Sequence, residues 1–187
     1  MNFTTQVVLL ALCLPTASLA APATLFKVDG ATSSLRYKIV HKFHESEGVT
    51  KEVEGAADLR AKQALVQVRA KVVGFDSGNG NRDAHMKEVV DAARFPDVML
   101  KGTLVDFVAP TVFPSKTQAK LQGSLTFHGQ TQPVTVPVVL AFASADDVQA
   151  TASFDVSLEA FKIERPSLMF VKIDDACRIT ADLHFKR

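Results

Sequence analysis

Cys177-Arg178-Ile179-Thr180-Ala181-Asp182-Leu183-His184-Phe185 alternates apolar and polar side chains without a break. Successive side chains of an extended chain point to opposite faces, so this stretch reads as a strand with one buried and one wet face. The same alternation recurs upstream in residues 35–41, 66–72, 121–127 and 152–158. Many such strands separated by short turns indicate an antiparallel sandwich or barrel. Residues 134–143 are more continuously apolar, the pattern of a strand covered on both faces, and Pro137 within them suggests an edge or a bulge.

Residues 81–93 break the pattern. Met86, Val89, Val90 and Ala93 recur at helical spacing, Asn81 suits the N-cap, and Pro96 forbids continuation. The fold class is therefore all-β: a single antiparallel barrel of about eight strands with one inserted amphipathic helix. Its inward faces carry Tyr37, Ile39 and His41, then Val53, Gly55, Ala57 and Leu59, then Val68, Ala70 and Val72. Leu100 and Gly102, Gly123, Leu125 and Phe127, Phe154 and Val156, and Ile179 and Ala181 continue them. Large residues repeatedly neighbour small ones. Two readings fit: the small residues leave a lumen for one ligand, or the glycines bend strands around a filled core.

The chain has 187 residues, with 21 basic against 20 acidic side chains, a balance that argues against nucleic acid as the main partner. Residues 7–14 form a short apolar run, and Ser18-Leu19-Ala20 supplies the small residues of a cleavage site. Residues 1–20 therefore read as a signal peptide cut after Ala20, although no Lys or Arg precedes the apolar run. Removing twenty residues from 187 leaves 167, residues 21–187, which suits one domain with a sizeable core. Nothing after residue 20 is apolar for long enough to be a membrane-spanning helix. Cys177 is then the one remaining cysteine, so no internal disulfide forms, and its place on an apolar strand face marks it as a small core residue.

Asp76-Ser77-Gly78-Asn79-Gly80-Asn81-Arg82-Asp83-Ala84-His85-Met86 resembles a signature of the YceI-like family, D-[ST]-G-N-x-x-R-D-x-H-[LM]. Val89-Val90-Asp91 and Phe95-Pro96 follow at that family's spacing. Residues 123–134, with Thr126-Phe127-His128-Gly129 at their centre, are similar to its G-x-L-T-[IF]-H-G-x-T-x-P-V. Asp29 and Ser33-Ser34-Leu35-Arg36-Tyr37 fit its opening strand, and His41 matches a histidine at that strand's end. The resemblance covers most of residues 21–187. It implies an extended lipocalin-like barrel, periplasmic or secreted, that encloses a polyisoprenoid or similar amphiphile. Thr32, Leu158 and Phe161-Lys162 depart from the family pattern, as does the segment 42–54, at the places associated with the ligand's polar end.

Weighed as chemistry, Asp76 to Met86 is a tight strand-to-helix turn with local side-chain bonding, in which an acid suits the helix start and Arg82 pairs elsewhere. It serves as a scaffold built on Asp76, Asn79, Arg82, Asp83 and His85, or also as a lid that sets Met86, Val89 and Val90 against a ligand. His128 belongs to the second motif scaffold. The five histidines form no metal cassette. His41 is either a hydrogen-bonded core residue or a contact for a ligand headgroup. Glu45, Glu47, Glu52 and Glu54 lie among lysines and read as a solvated face. No G-x-S-x-G and no phosphate-cradling glycine loop is present. The expected function is an exported carrier of a long-chain amphiphile (polyisoprenoid, isoprenoid quinone or fatty-acid-like lipid). It is expected to need no cofactor or metal, and a homodimer is compatible with the chain. The alternatives are a filled barrel that acts as a structural or interaction module, and an enzyme acting on a lumenal lipid.

Overall fold

A computed structural model describes residues 25–42, 44–60, 63–168 and 171–187. The proposed signal segment, residues 1–20, lies outside the described residues. The strands run β1 (Leu25–Val28), β2 (Ser34–His41), β3 (His44–Thr50), β4 (Val53–Arg60), β5 (Gln63–Lys71), β6 (Asp97–Val105), β7 (Ser115–Phe127), β8 (Gln130–Ser144) and β9 (Asp147–Ser157). A two-residue hairpin, β10 (Ser167–Leu168) and β11 (Val171–Lys172), precedes β12 (Ala176–Lys186). One helix, α1 (Gly80–Val89), lies between β5 and β6.

Eight strands close on themselves in the order β1-β4-β5-β6-β7-β8-β9-β12, with β1 pairing back onto β12. All the pairings are antiparallel, so this is the all-β barrel with one helix that the alternating pattern implies. Closure gives every barrel strand a neighbour on both sides, although β8 has no β9 partner from Gln130 to Pro137. The opening segment of the sequence reading, β12, is the seam of the closure. Its end near Phe185 pairs with Val28 of β1, and its start, from Cys177 to Asp182, pairs with Ile39 to Ser34 of β2. The β2–β3 hairpin thus extends the wall at one end. The free edge of β3 is covered there by the chain entering α1, where Val49 and Asp76 exchange backbone hydrogen bonds of 2.9 and 3.0 Å.

One sequence expectation is corrected. β8 is not covered on both faces: from Thr135 to Phe142 buried residues alternate with exposed or half-buried ones, and Pro137 is exposed. Pro137 does stand at a local edge, where β8 has no β9 partner. It pairs with Lys120 of β7, but the β8–β9 ladder begins only at Val138↔Ala152. Proline has no N–H to donate, and the ladder ends at its position.

The helix also differs in detail. It starts at Gly80 and its cap is Asn79, whose side chain accepts from the backbone N–H groups of Asn81 and Arg82. It stops at Val89, before Pro96 acts, because Asp91 takes a left-handed conformation at φ 47°. Val90 and Ala92, both buried, belong to the turn beyond it. Within the helix only Asp83 is buried, so the expected amphipathic stripe is weak.

Candidate functional site: the barrel lumen

The barrel is not filled. Its interior holds a cavity of about 190 Å³. The wall is apolar throughout apart from the hydroxyl of Tyr37 and the thiol of Cys177. An apolar void of about 150 Å³ stays dry and takes up apolar guests. A cavity of this size and lining can accommodate part of a hydrocarbon chain.

Of the residues read as inward, Tyr37, Ile39, Val68, Ala70, Val72, Met86, Val90, Leu100, Leu125, Phe127, Phe154, Val156 and Ile179 stand in the cavity wall. Three do not. His41 is buried on the same strand face but lies past the end of the cavity, and its Nε2–H donates to the Val171 carbonyl over 3.0 Å. Val89 packs against the core cluster at the helix end without reaching the lumen. Gly102 opens no space. A Cβ there would stand 2.6 Å from the Gln122 carbonyl oxygen, and one on its cross-strand partner Gly123 would meet the backbone at Lys101. These glycines answer a close approach of β6 and β7 rather than a ligand. Room comes from alanines in the wall, Ala57, Ala70, Ala150, Ala152 and Ala181. The sequence reading missed much of the wall on β8 and β9, including Val136, Val138, Leu140 and Val148. The regular alternation of β8 around Pro137 was the signal that could have found it.

The two motifs close the helix end of the barrel. In the first, Asp76 accepts from the Gly78 N–H at 2.7 Å. Ser77 gives both its N–H, at 3.1 Å, and its Oγ–H, at 2.5 Å, to Oδ1 of Asp83. Those bonds hold the Asp83 carboxyl below its ordinary range, against the opposing effect of burial. Arg82 returns to the same turn, with Nε to Ser77 Oγ at 2.9 Å and Nη2 to the Ser77 carbonyl at 2.9 Å. His85 is exposed. In the second motif His128 sits at φ 47°, edge-on to Phe95, and its Nδ1–H donates to the Phe161 carbonyl over 2.9 Å. Gln132 gives its Nε2–H to the Ala160 carbonyl at 2.8 Å. These two bonds tie the 3-10 turn Glu159–Phe161 across the place where β8 and β9 part.

Cys177 is buried, and burial pushes its thiol up to about 12, so it is a protonated wall residue. The glutamates of β3 and β4 are outward: Glu45 pairs with Lys38, Glu47 with Arg36 and Glu54 with Arg69. No group of three metal-ligating side chains occurs among the described residues. Nor is any helix there long and apolar enough to cross a membrane.

Comparison with known proteins agrees with this architecture. A family model described as the YceI-like domain matches residues 26–185. A UPF0312 protein of Vibrio cholerae serotype O1 is 27% identical over 137 residues, 68% of each chain. Another, from Pseudomonas fluorescens, is 31% identical over 113 residues, 58% of this chain and 53% of its own. Among solved structures, BcnA of Burkholderia cenocepacia superposes with a TM-score of 0.70 at 20% identity, covering 84% of this chain and 98% of its own. A polyisoprenoid binding domain from Saccharophagus degradans superposes at 0.73 with 12% identity, covering 88% and 98%. At such identities the two structures share the fold.

Proposed function

The chain belongs to the YceI-like family, and on that premise we propose that it is an exported carrier that holds a long-chain amphiphile in the barrel lumen. The observation that carries this reading is the interior cavity with its almost wholly apolar wall. Burying ten methylenes there is worth roughly 8 kcal/mol gross, at about 0.8 kcal/mol each. Association costs several kcal/mol of that, so micromolar binding requires a long chain. A polyisoprenoid, an isoprenoid quinone or a long acyl chain meets the requirement; a short metabolite does not. The name of the Saccharophagus degradans domain, a polyisoprenoid binding domain, supports the same class of ligand for this fold.

The role is binding, not catalysis. The cavity wall offers no base beside a nucleophile, and its one thiol is held protonated. Export to the periplasm or the exterior rests on residues 7–14 and the Ser18-Leu19-Ala20 site. Native mass spectrometry of the exported protein tests both parts. The expected species begins at Ala21 and carries one lipid per chain, which organic extraction removes. A mature protein that neither retains nor takes up any long-chain lipid would refute the carrier reading.

A further inference from the structure

Tyr37 is the single tyrosine in a chain with thirteen phenylalanines. It is 9% exposed, and its ring lies against Phe75 at a centroid distance of 5.4 Å. The ring also leans across its cross-strand partner Gly48, where an added Cβ would fall 2.6 Å from the ring carbon Cε1 and 2.9 Å from the hydroxyl oxygen. Gly48 thus makes the space the phenol occupies. Tyr37 stands in the cavity wall, and its hydroxyl makes no hydrogen bond among the described residues while keeping a small exposed area. A donor left unpaired against an apolar lumen costs up to about 1–3 kcal/mol. Phenylalanine would fill the same volume without that cost, and the chain uses phenylalanine freely elsewhere.

Resting on the lumenal-carrier reading, we propose that Tyr37 is the polar anchor for the ligand: its hydroxyl donates to an uncharged carbonyl acceptor at the head of the chain, and the site rejects anionic heads. The tail then runs from the helix end toward Leu183 and Phe185 at the far end of the cavity. Three observations select a neutral head. The cavity wall contains no cation. Arg82, whose guanidinium donates through Nε and Nη2 to Ser77, is not one of the wall residues. Burial above all, and then the negative field of Asp83, which outweighs the positive field of Arg82, push the hydroxyl up to about 12, so the group donates at any ordinary pH. An ester, amide or quinone carbonyl satisfies the donor. A carboxylate or phosphate would bring unpaired charge into an apolar wall that lies in the negative field of Asp83.

The test uses the mature chain and its Tyr37→Phe variant, with three probes delivered from cyclodextrin at pH 8: methyl oleate, oleate and 1-octadecene. Dissociation constants are read by calorimetry, and circular dichroism confirms that the variant folds. One neutral hydrogen bond of about 1 kcal/mol corresponds to roughly fivefold in affinity. Methyl oleate should therefore bind the variant about fivefold more weakly, while 1-octadecene should bind both proteins alike. Oleate should bind the wild-type chain at least about tenfold more weakly than its ester. Equal binding of methyl oleate to both proteins, or of oleate and ester to the wild type, overturns the anchor while leaving the carrier reading intact. Failure of every probe, 1-octadecene included, overturns both.

Discussion

At the end of the barrel far from the helix, Leu104, Leu121, Leu140, Val148, Leu183 and Phe185 are buried, and Phe107 and Phe113 pack on Phe142 to cover them. At the helix end the inward side chains include Ile39, Phe75, Met86, Leu100, Phe127 and Ile179, all only partly buried. The two ends carry similar residue types and the same strand alternation. They differ in what covers them: a dense phenylalanine cap at one, and at the other a hydrogen-bonded loop and short helix whose main buried residue is an aspartate. The difference is one of cover rather than of room, because the cavity is lined at both ends, by Leu183 and Phe185 at one and by Ile39 and Met86 at the other.

Substitutions that strike the dense end should break the fold first. Phe142→Ala removes the ring on which Phe107 and Phe113 rest, and should cost about 3–5 kcal/mol in urea unfolding. If it costs under about 1 kcal/mol, the ends do not differ as described. Gly123→Ala forces β7 away from Lys101 of β6 and should cost about 1–3 kcal/mol. At the helix end, Met86→Ala borders space that is already empty and should lose less than Phe142→Ala while changing lipid affinity more; unfolding and binding measured on one preparation compare the two.

The pH dependence sharpens the same contrast. Ser77 holds the Asp83 carboxyl below its ordinary value of 3.8, so the folded state has the depressed pKa. The stability this contributes is full above about pH 4 and is lost as pH falls through the folded-state value. Asp83→Asn should therefore flatten part of the acid limb of the unfolding curve; an unchanged acid limb would show that this loop contributes nothing. The smallest effect concerns Cys177. With its thiol pushed up to about 12, it should resist iodoacetamide at pH 8 in the native chain and react once urea exposes it, as peptide mass mapping would show.

Much of this was legible in the sequence, because a strand with one wet face writes its burial into every second residue. β2, β7, β9 and β12 follow directly from that rule. The rule fails where backbone geometry, not side-chain character, decides the outcome. Gly102 and Gly123 face each other across a close strand approach, which looks in the sequence just like space left for a ligand. His41 keeps the lumenal parity of Tyr37 and Ile39, but the chain near Val171, distant in sequence, covers it. Asn79 rather than Asn81 caps α1, because either asparagine suits the role and only the turn at Gly78 chooses between them. Thus the family-like motifs mark the helix end, yet what they build there is a locally bonded turn from Ser77 to Asp83 and a tie from His128 to Phe161 across the place where β8 and β9 part.

The central claim is that the interior takes up a hydrocarbon chain, and methyl NMR tests it most directly. The isoleucine, leucine and valine methyls are labelled and the delipidated protein is titrated with 1-octadecene. The account predicts saturable shifts at Ile39, Leu100 and Ile179, which face the cavity, and none at Leu25 and Leu65, which face outward. Shifts confined to the outward methyls, or no shifts at saturating ligand, would contradict it.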